Sequence, residues 1–222
     1  MIRQLAFDLA GTEALTRADF FVAPSNALAL QAVEGWRDWP GAKLLLLGPE
    51  GAGKTHLAHV WAEAADAVIL RADALAGVDI AALAGRRVAV EDAQLVGAAE
   101  AALFHLHNVV TAGGGALLLT ADAAPRDWGL RLADLLSRLQ AAPVARLEAP
   151  DEGLLSAVLV KLFADRQLVV APNLIPYLVS RMPRSVGAAR AVVAALDVMA
   201  LAEGRAVTRA LAAEVLDRLE NR

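Results

Sequence analysis

Cysteine is absent from this 222-residue chain, which excludes a disulfide framework, thiolate catalysis and any Cys-based metal site. Aromatic residues are scarce at 5%, so there is no aromatic-rich basic groove of the kind that stacks single-stranded bases. The formal net charge of −4 argues against a broad electrostatic footprint for nucleic acid, although it leaves room for a local basic patch. Only four histidines occur, and His105 and His107 are two apart, so they do not share a helix face and make a poor metal pair. No apolar run approaches the length of a membrane span. The first residues also lack the basic stretch and apolar core of a signal peptide. A cytoplasmic protein with no membrane segment is the simplest expectation, and the chain is long enough to bury a sizeable core.

What is present is concentrated at Gly48-Pro49-Glu50-Gly51-Ala52-Gly53-Lys54-Thr55, which fills every required position of the G-x-x-x-x-G-K-[ST] phosphate-binding (Walker A) loop. The apolar run 44–47 leads into it and a helical segment, 55–65, leaves it, as a working loop requires. The glycines allow backbone N–H groups to turn inward around phosphates, and the following helix adds its positive dipole end. Lys54 is expected to reach the β- and γ-phosphates of ADP or ATP, and the Thr55 hydroxyl to hold Mg²⁺.

Apolar strands are expected at 43–47, 67–71, 87–90, 116–120 and 144–147, with helices at 55–65, at 98–110 and within 128–139. This alternation predicts an α/β fold with a mainly parallel five-stranded sheet covered on both faces. Beyond Pro150 only helical periodicity remains, at 154–165, 173–181, 186–202 and 208–219, punctuated by Pro172, Pro183 and Gly204. The expected organisation is an N-terminal peptide and linker over 1–18, a nucleotide-binding α/β core over 19–150 and a small all-helical lid over 151–222.

An open α/β sheet binds its ligand at the carboxyl ends of its strands. The third strand ends at Glu91-Asp92, where one carboxylate is expected to hold Mg²⁺ or its waters and the next to orient the attacking water. The order is unusual, with glutamate at the metal position and the shorter aspartate at the water-orienting one. The fourth strand ends Thr120-Ala121-Asp122, polar residues able to sense a γ-phosphate, or ordinary turn residues. The four tryptophans are expected to pack rather than to serve as binding platforms, with Trp39-Pro40-Gly41 making a turn before the first strand.

The run from Phe20-Phe21-Val22 through Asn26, the loop with Thr55-His56-Leu57, Glu91-Asp92 and Thr120-Ala121-Asp122 together resemble the AAA+ module of the DnaA replication-initiator family. The resemblance covers nearly the whole chain. It implies that His56 belongs to the nucleotide-binding set with residues 48–55. Leu136-Ser137-Arg138-Leu139 is similar to the family's arginine-finger segment, with leucine replacing its aromatic residue, which makes Arg138 the finger; alternatively Arg138 is a helix-end cation complementing the macrodipole. The helix from Ser185 through Arg190 to Leu196-Asp197 resembles the lid's sensor helix, with Arg190, or else Arg184, facing the nucleotide.

The chain ends at Arg222 with no helix-turn-helix segment after the lid, a layout similar to the DnaA-related regulators of the Hda type. Gln4-Leu5-Ala6-Phe7-Asp8-Leu9 resembles the peptide by which proteins dock on the bacterial sliding clamp, with Leu5, Phe7 and Leu9 as apolar anchors and Gln4 at the pocket edge. A first strand packing on the core would produce the same alternation. The resemblance thus implies a nucleotide-switched regulator of replication initiation that partners the clamp and DnaA, possesses at most weak ATP hydrolysis of its own, forms homo-oligomers if any, and reads no DNA sequence directly. Other expectations are an AAA+ helicase loader or DNA-remodelling helper, and a small-molecule P-loop kinase. A kinase of that kind needs a substrate pocket and usually a lid rich in phosphate-binding arginines, whereas this C-terminal region reads as an alanine-rich helical domain.

Overall fold

The computed structural model describes residues 15–220, with the side chains of 15–219. Five strands, β1 (Lys43–Leu47), β2 (Val68–Arg71), β3 (Arg87–Glu91), β4 (Ala116–Ala121) and β5 (Val144–Arg146), form one sheet in the order β2-β3-β4-β1-β5. Every pairing is parallel, with Leu45 opposite Leu119 and Leu46 opposite Ala145. Within β1, residues 44–47 read as an unbroken apolar run because both faces of a parallel sheet are covered. Successive side chains then alternate between two cores. Leu44, Leu46, Ala89 and Leu118 face one core, with α1 (Ala27–Glu34) and α2 (Lys54–Ala65). Leu45, Leu47, Val88, Val90, Leu117 and Leu119 face the other, with α3 (Glu100–Ala112) and α4 (Ala133–Gln140).

Four helices follow the sheet: α5 (Glu152–Asp165), α6 (Leu174–Val179), α7 (Val186–Glu203) and α8 (Arg209–Glu220). Their apolar faces meet in a third core built from Leu155 to Leu216, which shares no residue with the two sheet cores. The α5 helix starts where Asp151 accepts the Leu154 N–H at 2.7 Å, and α7 where Ser185 accepts the Ala188 N–H at 3.2 Å. Gly204, at φ 60°, closes α7 in the left-handed conformation. Among the described residues no helix is long and apolar enough to cross a membrane.

The expected α/β architecture with its helical continuation is therefore observed. The α1 helix was not anticipated. Asn26 prepares its start: its Oδ1 accepts the Ala23 N–H at 2.9 Å and its Nδ2 donates to the Phe21 carbonyl at 2.8 Å. Trp39 stacks on Trp61 at 5.3 Å and donates its indole N–H to the Ala32 carbonyl at 2.7 Å, which locks α1 to α2.

Candidate functional site

The site forms where β1, β3 and β4 end. β1 runs straight into the loop, and the Gly48 N–H donates to Ala121 O at 3.1 Å, tying the loop's entry to the end of β4. A Cβ on Gly48 would lie 2.8 Å from Leu147 O, so only glycine permits this approach. Gly51 and Gly53 adopt φ of 72° and 100°, which turns the loop into the first turn of α2. Lys54 is buried and its ammonium donates to Gly48 O at 2.7 Å and Pro49 O at 3.0 Å. Burial lowers its pKa, while Asp122, Asp92 and Glu50 pull in the opposite direction. Any anion drawn to this cation would compete with two loop carbonyls for it.

β3 delivers Glu91 at its end, and Asp92 follows in the left-handed conformation at φ 53°. The Asp92 N–H donates to the Thr120 hydroxyl at 3.1 Å, so Thr120, itself buried, braces the carboxylate turn. The Asp92 carboxylate lies 3.5 Å from the Arg71 guanidinium at the end of β2, and Arg71 also holds Asp73 at 3.1 Å. Arg71 was not singled out in the sequence, because only the parallel register of β2 and β3 brings it beside the acidic pair. Glu91 Oε1 is buried and has no hydrogen-bond partner. An anionic oxygen in that state calls for a cation or a donor. Glu91 and the Thr55 hydroxyl at the start of α2 offer only oxygen donors, the chemistry that suits a hard ion such as Mg²⁺. Among the described residues no group of three or more His, Asp or Glu side chains is gathered for a metal, so nucleotide phosphates would supply further ligands.

Beside the loop lies a cleft of about 570 Å³, walled by the 19–26 strap, the start of α2, α5 and α7. Ala52, Gly53, His56 and Arg190 line it, together with Asn26 and Asp197. Arg184 points elsewhere, paired with Glu152 at 2.8 Å on the surface. His56 Nε2 carries its proton to the Thr16 carbonyl at 2.9 Å, and the ring meets Phe20 edge-on at 5.2 Å. Burial lowers the His56 pKa, opposed by the Thr16 carbonyl and assisted by Arg190. The lid is latched to the loop: the Val186 N–H donates to Gly51 O at 3.0 Å, and the Ser185 side chain occupies the space a Gly51 side chain would need. Lys161 of α5 bridges Asp19 of the strap at 3.1 Å and Asp165 at 2.7 Å; these two partners raise its pKa. This strap-to-lid tie was invisible in sequence, since its members lie more than a hundred residues apart.

Arg138 stands away from the loop. It lies in the last turn of α4, exposed, with its guanidinium 5.5 Å from the Phe104 ring centroid. Its carbonyl accepts the Lys43 ammonium at 2.9 Å, at the start of β1, whereas the phosphate loop begins at the other end of that strand. Four strand steps separate the two ends, about 13 Å. Gln4, Leu5, Phe7 and Leu9 lie outside the described residues.

No family model matches the chain. Solved structures do. Domain III of the Thermotoga maritima replication initiation protein DnaA superposes with a TM-score of 0.81 at 20% identity, covering 92% of this chain and 96% of that one. The fold is that of the DnaA AAA+ module. A replication initiator DnaA bound to AMPPCP and single-stranded DNA matches with a TM-score of 0.71 at 19% identity, over 93% of this chain and 68% of that one. A DNA replication initiation factor gives 0.72 at 20% identity, over 94% and 68%.

Proposed function

We propose that the chain is a nucleotide-switched AAA+ regulator of replication initiation of the Hda type, which docks on the sliding clamp through Gln4, Leu5, Phe7 and Leu9 and stimulates ATP hydrolysis on DnaA. Nucleotide binding is supported by the coincidence of a complete phosphate loop, an orphaned Glu91 oxygen and an arginine-lined cleft, and by the AMPPCP held in one structure of the same fold. ADP or ATP would lie along residues 48–56, with Lys54 drawn from the loop carbonyls to phosphate and Arg190 reaching in from the lid. Mg²⁺, held by Thr55 and Glu91, would supply charge neutralisation between phosphate oxygens. Thr120 fixes the Asp92 turn, and Asp122 adds negative charge beside Lys54.

The observation that carries the trans-acting part is the place of Arg138. Its carbonyl is pinned at the N-terminal end of β1 and its own phosphate loop begins at the C-terminal end. An exposed arginine there is poised to meet nucleotide held by a neighbouring AAA+ subunit, where such a group is worth roughly 10³ to 10⁵ in rate. The test is a DnaA-ATP hydrolysis assay with clamp-loaded DNA. Arg138→Ala retains nucleotide and clamp binding but no longer stimulates hydrolysis, whereas Arg190→Ala weakens the nucleotide response within this subunit. Gln4→Ala with Phe7→Ala removes clamp binding without altering nucleotide affinity. Full stimulation by Arg138→Ala would leave that residue a helix-end cation, and clamp binding by the double variant would return residues 4–9 to the core.

A further inference from the structure

The C-terminal turn of α4 is capped from another element. Its last carbonyls need partners, as at any helix end. The Ala141 N–H bonds Ser137 O and the Ala142 N–H bonds Leu139 O, both at 3.1 Å. These bonds pass over the Arg138 carbonyl, and the Lys43 ammonium takes it at 2.9 Å. Lys43 is the first residue of β1, in register with Leu117 of β4, so the group that holds Arg138 is itself fixed to the centre of the sheet.

The other face of that ammonium meets His107 Nε2 at 3.2 Å. An ammonium has only hydrogens to offer, so Nε2 accepts, and the ring proton resides on Nδ1, facing Asn108 Oδ1 at 3.4 Å. His107 is 3% exposed and lies one helical turn from Phe104, the ring that carries the Arg138 guanidinium. The α3 helix thus holds Arg138 twice: the guanidinium through Phe104, and the carbonyl through His107 and Lys43.

We propose that Lys43 is a positioning residue for Arg138, supported in turn by the buried His107 ring. The inference rests on the reading in which Arg138 acts on nucleotide held by a neighbouring subunit. It adds a sensitivity to acid. The charged groups that face His107 are Lys43 from β1 and Arg138 from α4, both cations; on α3, Asn108 meets the ring and Thr111 donates its hydroxyl to the His107 carbonyl. Burial lowers the His107 pKa, opposed by the Asn108 side chain and assisted by the two cations, and burial with Arg138 lowers that of Lys43. The neutral ring is the form that fits. Because the folded value lies below the ordinary value of about 6.5, support is complete above that pH and is lost as pH falls through the folded value.

The experiment compares Lys43→Met, Lys43→Arg, His107→Gln and Arg138→Ala in the clamp-loaded DnaA-ATP hydrolysis assay, with hydrogen exchange read at the amides of residues 138–142. Lys43→Met lowers stimulated kcat by roughly 10- to 100-fold, the order expected for a displacement of up to about 1 Å. KM for the initiator and the chain's own nucleotide affinity stay unchanged, and the Ala141 and Ala142 amides exchange faster. Lys43→Arg restores part of the rate. His107→Gln, which keeps an acceptor that does not titrate, removes the steep loss of stimulation that wild type shows on acidification. If Arg138→Ala is inactive while Lys43→Met stimulates fully with wild-type exchange, the trans-acting reading stands and this inference alone is overturned. If Arg138→Ala stimulates like wild type, the reading falls and the positioning role falls with it, whatever the exchange data show.

Discussion

Gly51→Ala is the sharpest probe of how the lid meets the phosphate loop. Two costs are built into the position. Gly51 has φ of 72°, and placing an L side chain there costs about 1–2 kcal/mol. The new Cβ would also lie 2.6 Å from Ser185 Cβ and 3.3 Å from Ser185 Cα. Relieving such overpacking costs typically about 1–3 kcal/mol if the contact is kept. The alternative is to release the lid, which forfeits the Val186 N–H bond to Gly51 O, worth about 1 kcal/mol net. Release is therefore the cheaper route. The variant should lose about 2–3 kcal/mol, which in a chain of this size is a fall in Tm of roughly 4–12 °C. Nucleotide affinity should fall as well, because α7 carries Arg190 away from the loop. Calorimetric melting and nucleotide titration read both effects. Gly204→Ala is the control, since it has φ of 60° and nothing within 4 Å of its Cβ, so it bears the backbone strain alone. Ser185→Gly in the Gly51→Ala background should recover part of the affinity in a double-mutant cycle. If Gly51→Ala melts and binds no worse than Gly204→Ala, the latch is wrong.

Lys54→Ala abolishes ADP and ATP binding with the sheet intact, since the residue contributes charge to phosphate; wild-type affinity by titration would contradict the loop assignment. Hydrolysis by dilute wild-type protein is slow, because Asp92 is one methylene short and engaged by Arg71, and a misplacement of about 1 Å can cost roughly 100-fold. Turnover in the ordinary enzyme range of about 1–10³ s⁻¹ in a phosphate-release assay would refute this. His56 contributes stability that is present above its unfolded value of about 6.5 and lost as pH falls through its lowered folded value. His56→Gln should therefore shrink the difference in Tm between pH 7.5 and 5.5 (about one unit either side of that value), and an unchanged difference would show that this ring does not titrate on unfolding.

The strands were legible because each is a short apolar run bounded by turns, and the loop because its glycines and lysine are contiguous. Boundaries shifted where chemistry intervenes. The second helix starts at Lys54 rather than after it, since the loop's last glycine already supplies the turn. The third strand runs through Glu91, because Arg71 extends the ladder with it. The α1 helix was overlooked although Ala29, Leu30 and Val33 lie at helical spacing on its buried face, behind a Ser-Asn start signal. Ties such as Lys43–His107–Arg138 or Thr16–His56 have no local signature. They join residues far apart in the chain, brought together by the crossovers of the sheet in the first case and by the N-terminal strap lying against α2 in the second.

The same geometry divides the site into a part built on the sheet and a part carried by the lid. The strand ends are held by the ladder and by direct ties, Gly48 N–H to Ala121 O and Asp92 N–H to Thr120 Oγ1, at the edge of the sheet cores. The lid has a hydrophobic core of its own and meets the loop through the Val186 bond and the strap through Lys161–Asp19, a pair about a third exposed. Each such tie is worth about 1 kcal/mol or less. A ligand bridging Lys54 and Arg190 would add a tie comparable in strength to those already joining the lid to the loop and strap. The α7 helix, 18 residues and about 27 Å long, runs from its cap Ser185 beside the phosphate loop to beyond Asp197, which meets Arg166, the C-cap of α5, at 4.0 Å. The α5 helix also bears Lys161, which grips the strap at Asp19, so the helical unit touches both the phosphate loop and the strap that wall the cleft.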